Sequence, residues 1–415
     1  MYWEKSSVPV LKLPISDLQS EFTISLPLKL HAIEVPHWAA SCGFNNLILV
    51  PRECVPNNCS QTDWQKVDWW LAIFLMLEGW HERIWEKVHG CIHSYSFRLK
   101  DWDTRAWDHA WVNRICLFLR LWCNNQFQAS SEHLGLLPKA ELIMSHDVDA
   151  VSKTHAIRIK QSAFHFLNSI VLLLKLRVIE SAKRLSKGIK FLLSSEDWWV
   201  FDKLLKMEEN AGIKAIFHFY ADQRPKTLKR WLMDPSYDLD SDRLKSLLCQ
   251  IYKIGHKVGL HPTYDSWNDS ELLEEQRQIL EQKLGSSVTH CRQHWLRFSW
   301  ENTWTKQEQA GLRYDSTLMF NDRAGFRNST ASTWQPWNNL QGNKYRIKCT
   351  TSIFMDSHFF DYAIFSEAKR GEHLNFFLNE CREVSGKAFL LWHPHTLTKD
   401  YGWEGLFRKL IAQIN

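Results

Sequence analysis

No apolar stretch of this 415-residue chain approaches the roughly 18 residues needed to cross a bilayer, so no membrane-spanning helix is expected. The opening MYWEKSSVPVLKLP has no basic region leading into an apolar run and cleavage site, so no export signal is expected. The ten cysteines include no CxxC pair and no zinc-finger spacing, and are expected to be free thiols in a reducing cytoplasm. Charge of neither sign dominates: 51 Lys and Arg against 46 Asp and Glu leave +5, too little to imply nucleic-acid binding. With 45% hydrophobic and 23% charged residues, long disorder and fibrous repeats are excluded, and the length allows two or three folded domains.

What charge there is lies in one place. Residues 151–190 hold nine Lys or Arg against the single acid Glu180, a local +8 that leaves −3 for the rest. Inside it, AFHFLNSIVLLL sets apolar residues at 163, 166, 167, 170, 171 and 174, one face of a helix. That face fits either core packing or an interfacial helix lying on anionic lipid, so 158–190 is a candidate for peripheral membrane contact.

The last two thirds of the chain repeat one grammar, an amphipathic segment closed by Gly and followed at once by a short apolar strand. Gly212 precedes IKAIFHF, Gly255 precedes HKVGLH, Gly285 precedes SSVTHCR, Gly311 precedes LRYDS and Gly386 precedes KAFLLWH. A Gly just past a helix takes the left-handed conformation, so each copy predicts helix, stop, strand. Asn268 with Glu271 predicts a capping box for the helix LLEEQRQILEQKL. Adding AELIMS and KYRIKC gives about seven strands, which predicts an α/β fold, a distorted (β/α)7-type barrel, over 136–415. Residues 1–135 lack the grammar, are rich in Trp, and are read as an N-terminal α+β accessory domain. Within it DWWLAIFLMLEGWHERIW predicts a helical run, and the polar NNQFQASSEH at 124–133 reads as a linker.

Polar residues gather where the strands end: Asp147 and Asp149, His218, His261, Arg292 and His294, Asp315, then His393 and His395. In such barrels the carboxyl ends of the strands converge on one face. Asp147 and Asp149, two apart, point to one side of the strand and suit a metal ligand beside a free base, although an Asp pair there also serves as a cap or turn. Arg327, in AGFR, suits either recognition of a carboxylate or phosphate or an ordinary salt bridge. Among the 22 Trp, Trp267, Trp295, Trp334 and Trp337 lie near these motifs, where an aromatic face can stack on a sugar.

Together these residues resemble the polysaccharide deacetylase family, carbohydrate esterase family 4, over about 139–398. SHDVDA is similar to its first motif, GLHPTY to its metal-histidine motif, RQHWLRF to its arginine motif and LLWH to its closing motif. RYDSTLMFNDRAGFR and DPSYDL look like a divergent bacterial branch associated with surface polysaccharides. The resemblance implies a distorted barrel with one divalent metal, zinc foremost. It implies Asp147 as general base, Arg292 as its orienter, His393 as general acid, and Asp149 and His261 as metal ligands. The family's second metal histidine corresponds here to Asp265, taken as the third ligand, while His294 stands where the family has Pro and offers an imidazole instead. Arg327, Trp295 and Asp315 are the candidate substrate contacts.

The implied activity is removal of an N-acetyl group from a sugar, anionic or lipid-linked, in O-antigen- or capsule-type biosynthesis, in the cytoplasm or peripheral to the inner membrane. The alternative is a catalytically impaired barrel that binds a glycan or partner, favoured by the change at Asp265. A third reading keeps the metal but hydrolyses another C–N bond, such as a cyclic amide.

Overall fold

The computed structural model describes residues 13–15, 24–128 and 134–414. Residues 1–12 of the segment read for export features lie outside these, as do 129–133 of the stretch read as a linker; its residues 124–127 form the last turn of the helix Trp111–Phe127. Among the described residues no helix is long and apolar enough to cross a membrane.

The chain begins with an antiparallel pair, β1 (Leu30–Glu34) and β2 (Leu47–Pro51). It packs on the helices Trp69–Leu77, Trp80–His89 and Trp111–Phe127 around a core that includes Ile33, Ile48, Trp69, Ile115 and Phe118. The run DWWLAIFLMLEGWHERIW is thus two helices rather than one. The break falls at Gly79, whose φ of 54° is left-handed and where a Cβ would stand 2.2 Å from the Trp300 ring.

The remainder builds around β3 (Glu141–Val148), β4 (Ile216–Phe219), β5 (Lys257–Leu260), β6 (His290–Cys291) and β7 (Tyr314–Asp315), paired in that order and parallel throughout. β8 (Thr333–Trp334) runs antiparallel to β11 (Lys348–Thr350), and β9 (Trp337–Asn338) with β10 (Asn343–Lys344) makes a small ribbon outside the main sheet. β12 (Ser352–Met355) pairs with β13 (Lys387–Leu391), which pairs in turn with β3. β11 and β12 are one run interrupted at Thr351: its first half lies beside β7 and its second beside β13. The nine-stranded sheet therefore curls into the expected distorted, barrel-like form, β11 near one end joined to β12 at the other by the covalent run through Thr351. KYRIKC contributes only its last two residues to this run, which continues into TSIFM.

Helices such as Phe201–Asn210, Asp242–Lys253, Ser270–Leu284 and Glu367–Glu383 cover the sheet and bury Leu204, Leu248, Leu280 and Leu378 against Phe217, Leu260 and Leu390. Gly212, Gly255, Gly285 and Gly311 all have positive φ, as the helix-stop pattern requires. The fifth stop differs: Ser385, at φ 50°, makes the turn, and Gly386 is needed because a Cβ there would meet the Ala331 Cβ at 2.7 Å. The cap on Ser270–Leu284 is also displaced by one residue. Asp269 rather than Asn268 accepts the bond from Leu272 N, and Asn268 belongs to the preceding turn.

Buried charge joins the N-terminal part to the barrel. Arg114 donates to Glu380 from Nε at 2.9 Å, and His109 Nδ1 lies 2.8 Å from the same carboxylate. The Asn113 side chain accepts from Ala331 N and donates to the Ala331 carbonyl.

Candidate active site

Six strands lead to polar residues at one mouth: Asp147 on β3 and Asp149 just after it, His218 on β4, His261 after β5, Arg292 after β6, Asp356 after β12 and His393 after β13. Parallel strands in register bring these positions together with no special loop geometry.

Asp147 is buried, 2% exposed. Arg292 Nη1 donates to its Oδ1 at 3.1 Å, and the guanidinium is fixed by Ser145 Oγ (2.9 Å), Ser352 Oγ (3.2 Å) and the Ser316 carbonyl (3.1 Å). His218 Nδ1 is 3.2 Å from the same carboxylate oxygen. Burial would raise the Asp147 pKa, but the Arg292 charge with His261 and His218 holds it well below the ordinary carboxylate range.

Asp149 is closer to the mouth, its side chain 29% exposed. Its Oδ1 is 3.3 Å from His261 Nε2 and 3.6 Å from His294 Nδ1, and the two ring nitrogens are 2.8 Å apart. The far nitrogen of each ring is engaged by a backbone carbonyl, His261 Nδ1 at Arg292 O and His294 Nε2 at Met233 O, both at 2.7 Å. A carbonyl only accepts, so each of those nitrogens carries the hydrogen. With both rings neutral in those tautomers, their remaining nitrogens aim lone pairs at one another and at Asp149 Oδ1, a buried oxygen with no hydrogen-bond partner. Burial would lower the His261 pKa, but Asp147 and Asp149 raise it, so a proton on Nε2 competes with a metal for the same point. Three acceptors facing one point repel unless a cation stands between them. A four-coordinate zinc with bonds of about 2.0–2.1 Å sets its ligand atoms about 3.3 Å apart, close to the spacing here. The donor set Asp149, His261, His294 thus fits a divalent metal.

His294 reaches the centre through an uncommon backbone. It opens the short turn His294–Leu296, in which Trp295 and Leu296 both have left-handed φ, 57° and 50°. Trp295 donates from Nε1 to the same Met233 carbonyl and stays partly exposed at the rim.

On the opposite side, His393 Nδ1 lies 2.8 Å from Asp356 Oδ1, while its backbone N–H and the Thr396 hydroxyl donate to Asp356 Oδ2. Burial pulls this imidazole down, but the Asp356 carboxylate outweighs it and the pKa is pushed up to about 10. His393 Nε2 faces the centre, 3.5 Å from Asp149 Oδ2.

The structure thus gathers Asp147, Asp149, His261, Arg292, His294 and His393. It does not bring Asp265 to them: that carboxylate is half exposed and pairs with Lys229 Nζ at 2.8 Å. Arg327 is held instead by Glu82. It is 3% exposed, its Nε donates to Glu82 at 3.2 Å and its Nη1 to the Met319 carbonyl, the ordinary-salt-bridge alternative. Asp315 is buried and its oxygens are taken by Trp304, Gln307 and Thr317. Asp356 was absent from the expected set, although it follows an apolar run, TSIFM, as the other site residues do.

No family model matches the chain, and no curated relative does. Among solved structures it is similar to a protein assigned as a polysaccharide deacetylase from Mycobacterium smegmatis, at 15% identity and TM-score 0.41, covering 68% of this chain and 85% of that one. It is also similar to PuuE allantoinase at 12% identity and TM-score 0.39, covering 67% of this chain and 85% of that one. A third likeness is to the chitin deacetylase of the fungal pathogen Colletotrichum lindemuthianum, at 12% identity and TM-score 0.35, covering 67% and 82%. At these values the likenesses assign no chemistry to this chain.

Proposed function

We propose that the protein is a metal-dependent hydrolase of the polysaccharide deacetylase family that removes an N-acetyl group from a sugar. The observation that carries this reading is the convergence of three metal-competent atoms, from Asp149, His261 and His294, between the Asp147–Arg292 pair and the His393–Asp356 pair. A bound divalent ion would polarise an amide carbonyl and acidify water.

The chain's own residues supply the proton handling. Arg292 keeps Asp147 ionised, so that Asp147 can accept a proton from attacking water. Asp356 keeps His393 protonated on both nitrogens, and the Nε2–H faces the mouth, where it can be given to the departing sugar amine. Trp295, exposed at the rim, can stack on the sugar ring. The motifs SHDVDA, GLHPTY, RQHWLRF and LLWH support the family. RYDSTLMFNDRAGFR and DPSYDL support a bacterial surface-polysaccharide role, in the cytoplasm or at the inner membrane.

With His294 as third donor, the change at Asp265 no longer argues for a barrel that only binds. The test is elemental mass spectrometry of the purified protein, followed by acetate release from a panel of N-acetylated sugars. About one zinc or other divalent ion per chain, lost in folded Asp149→Ala and His261→Ala, is expected together with acetate release. A folded protein that takes up no zinc or cobalt when supplied would sink the metal-hydrolase reading and leave the glycan-binding alternative. Metal with no acetate release, but turnover of a cyclic amide, would favour the third reading.

A further inference from the structure

Between β3 and the barrel helix Phe201–Asn210 the chain inserts two long helices, His155–Leu174 and Val178–Leu193, packed together as a hairpin. It leaves the barrel six residues after Asp149, on the face that carries the candidate active site. The usual arrangement of an amphipathic pair is reversed here. The buried seam is small and polar: Ser162 donates to the Gly188 carbonyl, and Ser169 and Ser181 donate to each other's carbonyls at 2.9 and 2.8 Å. Gly188 permits this approach, since a Cβ would meet the Phe166 ring at 2.7 Å.

Most of the apolar residues point outward, the buried Phe191 excepted. Leu174 is 79% exposed, Leu176 at the tip 88% and Leu193 75%, and Leu167, Val178 and Ile179 are exposed with them. The predicted apolar face of the first helix is therefore the outer face, not a core face. Helices joined by small and hydroxyl side chains with apolar residues outside are the packing used in lipid, where no hydrophobic effect drives the seam together.

Charge selects the occupant. The nine basic residues at 151–190 include Lys175 and Arg177 at the tip and the exposed Lys183 and Lys190, against Glu180 alone. Lys153 and Arg184 are already paired with Asp400 and Asp361, but a second copy would still bring the same surplus of exposed Lys175, Lys183 and Lys190 and be repelled, whereas anionic headgroups neutralise it while the leucines enter the acyl boundary. The apolar surface also continues toward the site. Lys160 Nζ donates to the Trp231 and Leu232 carbonyls of the helix Leu228–Met233, whose exposed Leu228 and Trp231 lead to Met233, the carbonyl shared by His294 and Trp295.

We infer that the hairpin 155–193 docks this protein on an anionic bilayer surface, with the mouth of the candidate site turned toward the lipid. The hairpin lies on the surface and does not span it. The docking stands on its own residues and does not depend on the hydrolase reading.

The test is co-sedimentation of the full chain with vesicles of phosphatidylcholine alone and of phosphatidylcholine with phosphatidylglycerol. Binding to the mixed vesicles, weakened by salt, is expected. Lys175→Gln with Lys183→Gln should weaken it about 30-fold, at about 1 kcal/mol per basic residue. Leu174→Glu with Leu176→Glu should abolish it while leaving far-ultraviolet circular dichroism and metal content unchanged, since both side chains are already in solvent. Asp149→Ala should leave vesicle binding intact, which separates failure of the docking from failure of the proposed chemistry. Equal binding to both vesicle types, or binding that survives the paired glutamates, would overturn the inference. So would a concentration-dependent dimer that Leu174→Glu dissolves, which would make the face a contact between copies.

Discussion

His261 Nε2 and His294 Nδ1 face each other at 2.8 Å, and the other nitrogen of each ring is committed to a backbone carbonyl. While both imidazoles are neutral neither has a hydrogen to share, so the gap they form with Asp149 takes a cation, either a metal or the proton that, against burial, Asp147 and Asp149 favour on His261. His294→Ala is therefore expected to weaken zinc binding by more than the ~10- to 100-fold that loss of an outer-shell partner costs. Asp265→Ala should leave it unchanged, because Asp265 belongs to Lys229. Competition against a chromophoric chelator measures both, and loss of zinc in Asp265→Ala would refute the assignment.

Arg292 compensates a carboxylate that has almost no access to water. Replacing it with Gln leaves the buried Asp147 charge without its guanidinium, beside His218 and His261 alone, for an expected loss of up to about 3–5 kcal/mol. Adding Asp147→Asn should restore part of that loss. Urea midpoints of the single and double variants check this, and strict additivity would show that the pair is not coupled.

A pH dependence follows from Glu380. Burial would raise its pKa, but His109 and Arg114 bring it down to about 2 from an ordinary 4.5. The unfolded chain then binds the proton first as pH falls. The stabilisation is complete above about 4.5 and is lost as pH drops toward about 2, some 3 kcal/mol in all. Glu380→Gln should be less stable at neutral pH and lose less between pH 4.5 and 2. An acid limb identical to that of the parent in denaturant titrations would contradict it.

Gly79 and Gly285 are both left-handed, but only at Gly79 does a Cβ meet another residue, the Trp300 ring. Gly285→Ala should cost about 1–2 kcal/mol of backbone strain. Gly79→Ala should cost a further ~1–3 kcal/mol for the displaced indole. Equal thermal midpoints for the two variants would show that the Trp300 contact carries no weight.

Much of this architecture is legible in the sequence because parallel strands place their chemistry by register alone. Asp147, Asp149, His261, Arg292 and His393 can be found by looking just past each apolar run. His294 is harder to assign, since it reaches the centre only through two consecutive left-handed residues that no periodicity announces. Asp356 lies beyond a strand that breaks at Thr351, so the visible pattern KYRIKC stops short of it. Arg327 has Glu82 as its partner, 245 residues away in the N-terminal part, and such long-range pairs leave no local trace.

Closing the barrel with its last strand has a consequence during synthesis. β3 is flanked by β4 and β13, and Ser145 and His146 bond to Leu390 and Trp392 across about 245 residues of sequence. At roughly 5–20 residues per second, one edge of β3 waits about 10–50 s on the ribosome for its neighbour. Through that interval Glu141–Ser145 is a largely apolar edge left open on the side that β13 will cover. Soluble yield should therefore respond to translation speed and to chaperones that shield strand edges more than to the stability of the finished molecule.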